Sequence, residues 1–449
     1  MTLDLKTLTT AVSGACAAIR SNTRLQPAGG LGDKVFPPTF VADDKSNPLK
    51  YAHETRRIGG QDVKVVLLDS VASQANRMEE ALLAAWESEQ LNFPVIGVDF
   101  TGEVGMEDLG FLTSLQAPHR IADALLRDAI WQDEANQRAL PFRESPEGQA
   151  YTAASFKNAT AVYRLCPTAL VFGVWDSTGP RGGMGAKFQR ALVSEIVGVG
   201  FVAGVKVGSR LDGTGIEKGI DIFHLATNPF DWTLEPEEAL GGPSKPAKFH
   251  KGNKFSQNAA GVWKLEKESK STDKGKPSNV VLGNIPPNRE GDAGGVTFDH
   301  ALQTTVLSLP ALRRLRFPVK ADNSAILADQ RLAAENAART ALAALALAAV
   351  AVQRERGYDL RSRSLLVPEA ASPLAFEFIP SEGGDAQSYV LNTADALALF
   401  RAAHEQAQEF GFGWQRQPLT LRPIPKLVSL IRESRRLAAR DEADDAGSA

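Results

Sequence analysis

The chain is poor in cysteine, with only Cys16 and Cys166 among 449 residues. Two isolated thiols make neither a disulfide framework nor a cysteine zinc site, and they fit a reducing cytoplasm. Long hydrophobic runs are also lacking. The longest, Ala341 to Val352, falls well short of the ~20 residues of a membrane helix, so no membrane partner is expected. Histidine is scarce, at six. No HExxH, GxSxG, EF-hand string or clustered His/Cys set is present, which leaves a phosphate-binding enzyme of small molecules without support and implies no cofactor. Nor is there an excess of one charge. The net charge of -3 and pI near 6.2 give no global signature of a nucleic-acid binder, so any electrostatic case rests on local patches.

What is present is a 43% hydrophobic chain, enough for a large core. It also holds a glycine-rich cationic loop in FGVWDSTGPRGGMGAKFQR, Phe172 to Arg190. Gly182, Gly183 and Gly185 let another backbone approach without a Cβ in the way, and Arg181, Lys187 and Arg190 supply charge, a combination suited to phosphate. It is not a Walker loop. Ala186 separates the last glycine from Lys187, and Phe188 stands where a hydroxyl is required. Phe188 also occupies the third glycine position of a dinucleotide fingerprint.

Along the chain, Leu3 to Ile19 has helical spacing and reads as an amphipathic helix rather than a signal peptide. Arg20 lies just beyond it. The stretch Arg24 to Phe40, with Lys34 inside it, is broken by prolines and glycines; Phe36 and Phe40 there suit either core packing or stacking. Val63 to Leu68 reads as a buried strand. The helix after it is capped by Asp69 or Ser70, with Val71, Ala75, Met78, Leu82 and Trp86 facing the core. Gln74, Asn76 and Arg77 lie near its N-terminal end, where the dipole favours anions, and Gln74 and Arg77 fall off that stripe.

Phe93 to Phe100 reads as a strand and Pro118 to Trp131 as a helix opened by proline, with His119 and Arg120 available at its start and Asp123 and Arg127 spaced for a local ion pair. Ala169 to Trp175 reads as a further strand, and Leu192 to Val207 as strands joined by a turn or bulge. Strands and helices alternate, an α+β layout. Between 241 and 290, ten Lys and Arg stand against four acids, with Phe249, Phe255 and Trp263 interleaved, as a groove for single-stranded nucleic acid requires. An alanine-rich helix is expected from about Ala325 to Arg356, a mixed charged helix near the end, and disorder in DEADDAGSA.

Four strings, LQPAGGLGDKVFPPTF, LLDSVASQANRMEEALL, APHRIADALLRD and FGVWDSTGPRGGMGAKFQRALVSEI, together resemble the guide-RNA-binding backbone subunit of type I CRISPR interference complexes, subtype U or G, over roughly Leu3 to Phe223. The resemblance implies an RRM-like (ferredoxin-like) palm of the RAMP superfamily, with inserted finger and thumb elements and a helical C-terminal extension. Taken with the composition change after Gly241, which matches no string of that family, the chain is expected to divide into a palm at 1–240 with a Pro/Gly thumb-like loop, a basic insertion at 241–290, and a remaining palm segment and helical extension at 291–449. The resemblance further implies copies stacked along CRISPR guide RNA, other subunits of the complex, capture of target DNA, a separate helicase-nuclease, and no chemistry in this subunit. Arg20, Arg24, Lys34, Gln74, Asn76, Arg77, His119, Arg120, Arg181, Lys187 and Arg190 are then the expected contacts to the guide backbone. Gly182, Gly183 and Gly185 would allow its close approach. The alternative within the superfamily is a metal-dependent subunit that cuts target RNA, for which Asp33, Asp43 or Asp44 could supply the loop aspartate.

Overall fold

The computed structural model describes residues 3–40, 50–133, 138–178, 185–217, 219–281, 284–291 and 294–446. In the strand Cys16–Pro27, Ile19, Ser21, Thr23 and Leu25 are buried while Asn22 and Arg24 face solvent, the two-residue period of a sheet with one covered face. This strand pairs with His300–Ser308, which pairs with Leu192–Val199, then Gln61–Asp69, then His53–Ile58. Its other edge is shared by Leu365–Pro368 and Ala375–Pro380. Each of those carries one further strand, completing nine, and every pairing is antiparallel.

Helices cover one face. Ser70 caps Val71–Glu87 by accepting the Ser73 N–H at 3.3 Å. The alanine-rich helix Arg331–Arg356 packs against it and against Thr393–Glu409. Alanine combines the best helical propensity with a side chain small enough for neighbouring helices to approach closely. By length and composition this helix could cross a membrane, yet 94% of its most apolar window is buried in the protein. On the opposite sheet face, Val65, Val197 and Val199 form a second small cluster with Val63, Leu67 and Leu302.

Contacts divide the chain into two compact units, Met1–Val202 with Val296–Arg435, and Ala203–Gly295 with Arg436–Ala449. The first holds the nine-stranded sheet. The second contains short two-stranded ribbons, among them Lys206–Arg210 with Ile285–Glu290 and Lys254–Gln257 with Trp263–Lys267.

Several elements differ from the sequence expectation. The first helix spans only Leu5–Thr10, and Gly14, at φ 152°, closes the turn that follows before the strand opens at Cys16. The strand therefore takes Arg24 to Pro27 from the expected Pro/Gly loop. Pro118 to Trp131 is not one helix: Arg120 takes φ 53° and Asp123 is extended, leaving a single turn at Ala124–Arg127 and a strand at Ile130–Asp133. Arg127 pairs with Asp128, not Asp123. Thr168–Phe172 is helical, ended by Gly173 at φ 84°, because a wholly buried run carries no period that separates helix from strand. The last helix, Pro425–Ala446, takes in most of the acidic tail, whose alanines and charged residues are good helix formers.

Candidate nucleic-acid interface

Two short strands, Val174–Trp175 and Lys187–Phe188, flank the glycine-rich stretch in sequence and pair with each other. Val174 pairs with Phe188 and Trp175 with Lys187, so alternation buries Val174 and Phe188 while Trp175 and Lys187 face out. The Lys187 ammonium lies 4.9 Å from the Trp175 ring centre, and Trp175 is 59% exposed. At Gly185 a Cβ would stand 2.7 Å from the Asp176 carbonyl oxygen, which explains glycine where the two arms close. Arg181, Gly182 and Gly183 lie outside the described residues.

Beside this hairpin opens a groove of about 790 Å³, lined by His119, Arg120, Phe156, Trp175, Lys187 and Arg190 among others. His119, Lys187 and Arg190 are exposed and, among the described residues, make no ion pair. Arg120 is buried beneath them: its guanidinium grips both Glu79 oxygens at 2.6 and 2.7 Å and donates to the Gly173 carbonyl at 3.1 Å. Burial pushes the Glu79 carboxyl up to about 7, against the pull of Arg120 and, more weakly, Arg190. The groove thus presents two exposed cations, an exposed imidazole and an exposed indole over a closed ion pair, an arrangement that attracts phosphate and offers a ring face.

The remaining expected contacts lie elsewhere. Gln74 is fully buried, contrary to its expected place off the core stripe: its carbonyl accepts from Ser194, Gln303 and Gln353, and its amide donates to Asp69 at 2.6 Å. Gln74 therefore has no polar group left for a ligand, and Arg120 has its charge committed; both are interior ties rather than surface contacts. Arg77 donates to Asp69 at 3.0 Å and to the Asp359 and Leu360 carbonyls, which spends most of its fork. Asn76 borders a separate concavity of about 530 Å³ with Glu80, Gln116 and Arg356. Arg20 and Arg24 stand on the sheet face away from the helices, paired with Glu377 at 2.7 Å and Glu369 at 2.9 Å, both partly exposed. Such pairs are weak enough for a polyanion to replace.

Lys34 is half-buried, and its N–H donates to the Asp33 carboxylate. Asp43 and Asp44 lie outside the described residues. Among the described residues no group of three or more His, Cys, Asp or Glu could hold a metal ion. Phe36 lies under the Arg363 guanidinium at 4.3 Å, and Phe40 is exposed. Sequence reasoning missed Trp175 and Phe156. Trp175 could have been found from its place one residue outside a buried valine, next to a loop rich in cations.

Residues 19–202 match the model of the family described as CRISPR-associated protein GSU0053 (Cas_GSU0053). The match supports a CRISPR-associated protein with a role in CRISPR defence, and it spans every one of the expected contact residues. No curated protein matches the chain.

Proposed function

We propose that this chain is a non-catalytic backbone subunit that oligomerises along CRISPR guide RNA and presents it for pairing with target DNA in an antiviral interference complex. The observation that carries this reading is the groove where His119, Lys187 and Arg190 are exposed beside Trp175, none of them in an ion pair among the described residues, inside the family-matched residues. A guide must keep its base edges free for the target, so its holder needs cations for phosphates and ring faces rather than base-edge readout. The reading takes the antiparallel sheet with helices on one face as the RRM-like palm, and other copies, other subunits and a separate helicase-nuclease as partners in the cytoplasm.

The test is guide-RNA binding by the full chain across a salt series. Lys187→Ala with Arg190→Ala should weaken binding and flatten the salt dependence by about 1.4 log units per log unit, since each single-strand phosphate contact carries a slope of about 0.7. An unchanged slope removes the groove from the interface.

A further inference from the structure

The second unit holds an aromatic ledge outside the family-matched residues. On the hairpin Lys254–Gln257 with Trp263–Lys267, Gln257 faces Trp263 and Phe255 faces Leu265. Residues directly opposed in an antiparallel pair share a face, so Trp263, Phe255 and Leu265 form one surface. Phe230 stands edge-on to it, 5.9 Å from Phe255 at 81° and 5.5 Å from Trp263 at 88°, and remains 63% exposed.

The position of Phe230 is fixed from below. His224 is buried, with Nδ1 2.6 Å from the Pro229 carbonyl and Nε2 accepting the His250 N–H at 3.0 Å. Nδ1 is therefore the protonated nitrogen, and burial holds the imidazole neutral. The Asn228 side chain accepts the Phe230 N–H at 3.2 Å. A large ring held rigidly in solvent keeps its apolar face available at little cost in ordering.

Charge on the same hairpin is left open. Lys254 partners Lys267 where the hairpin leaves the aromatic pairs, at a break in register between Lys254 and Phe255; like charges brought together across strands are destabilising. Among the described residues neither makes an ion pair, nor do Lys264 and Lys270, whereas Lys248, Lys274 and Lys276 nearby are paired with Asp221, Glu268 and Asp273. A polyanion relieves that repulsion, and a polyanion with flat apolar bases also uses the ring.

We propose that this ledge is a second nucleic-acid surface, one that binds a single strand without sequence preference by stacking bases on Phe230 and Trp263 and seating phosphates at Lys254 and Lys267. The assignment does not rest on the guide-RNA reading of the groove. It is tested by anisotropy titration of the full chain with labelled oligothymidylate and oligouridylate of about 12 nucleotides, a length within the site sizes of such platforms, beside a duplex of equal length.

Phe230→Ala with Trp263→Ala should weaken single-strand binding about tenfold or more, and Phe230→Tyr should retain it. Lys254→Ala with Lys267→Ala should flatten the salt slope by about 1.4 without lowering the melting temperature, a result that a merely structural pair would not give. Tighter binding of thymidylate points to DNA as the strand, and of uridylate to RNA; either sustains the surface. Unchanged affinity in both the ring and the lysine variants, or duplex bound as tightly as single strand, overturns it. If His119→Ala with Lys187→Ala and Arg190→Ala abolishes binding while both ledge variants keep it, the ledge is discarded and the groove stands. The converse leaves the ledge and removes the groove.

Discussion

The interior and the groove treat cations in opposite ways. Arg120 and Arg339 are buried and closed, the first on Glu79 and the second on Glu335 and the Leu315 carbonyl, whereas Lys187 and Arg190 are exposed and, among the described residues, form no ion pair. Burial forbids an uncompensated charge, so the closed set serves the fold; solvent tolerates one, so the open set is where a ligand can act. His119 and Arg120 show how fine the division is, adjacent in sequence and on opposite sides of it.

The comparison breaks most severely at Arg120→Ala, which leaves Glu79 buried alone and should cost about 3–5 kcal/mol in denaturant unfolding. Replacing the pair together, Glu79→Leu with Arg120→Met, should recover most of that loss; failure to recover would mean that the pair does more than neutralise itself. Gln74→Ala should cost about 1–3 kcal/mol, because it withdraws one amide from Asp69, Ser194, Gln303 and Gln353 at once. A cost near zero would place that network in solvent contact.

Glu79 also gives a pH signature. Its folded pKa, about 7, lies above the ordinary 4.5, so between these values the folded chain holds a proton that the unfolded chain has released. Raising pH through that window should therefore lower stability, and Glu79→Gln should flatten the dependence in melts run from pH 4.5 to 7. The smallest effect on the fold belongs to the open set: Lys187→Ala with Arg190→Ala should change unfolding free energy by no more than about 0.5 kcal/mol. A larger loss would move these residues into the structural class.

The sequence made the capped helix after Ser70 and the valine strand before it legible, because cap, period and run length agree there. It named the cations of the groove but not their meeting, since His119 and Lys187 are joined only by the turn at Arg120 and the hairpin at Trp175. Gln74 was misplaced for a physical reason: a buried glutamine satisfied by four other elements looks, along one helix, like any surface polar residue. The second unit opens at Ala203, ahead of the compositional change at 241, because 203–240 is acidic and short of a periodic pattern while its chain still pairs with the basic part, as His224 with His250.

The alanine-rich helix bears on how the newborn polypeptide must be handled. Its largest helical partner, Thr393–Glu409, lies downstream, so during synthesis from the N-terminus one flank of an apolar rod long enough to traverse a lipid bilayer emerges with nothing to cover it. Until that partner is made, the bare flank is the kind of transient apolar surface that invites aggregation and that chaperones exist to shield.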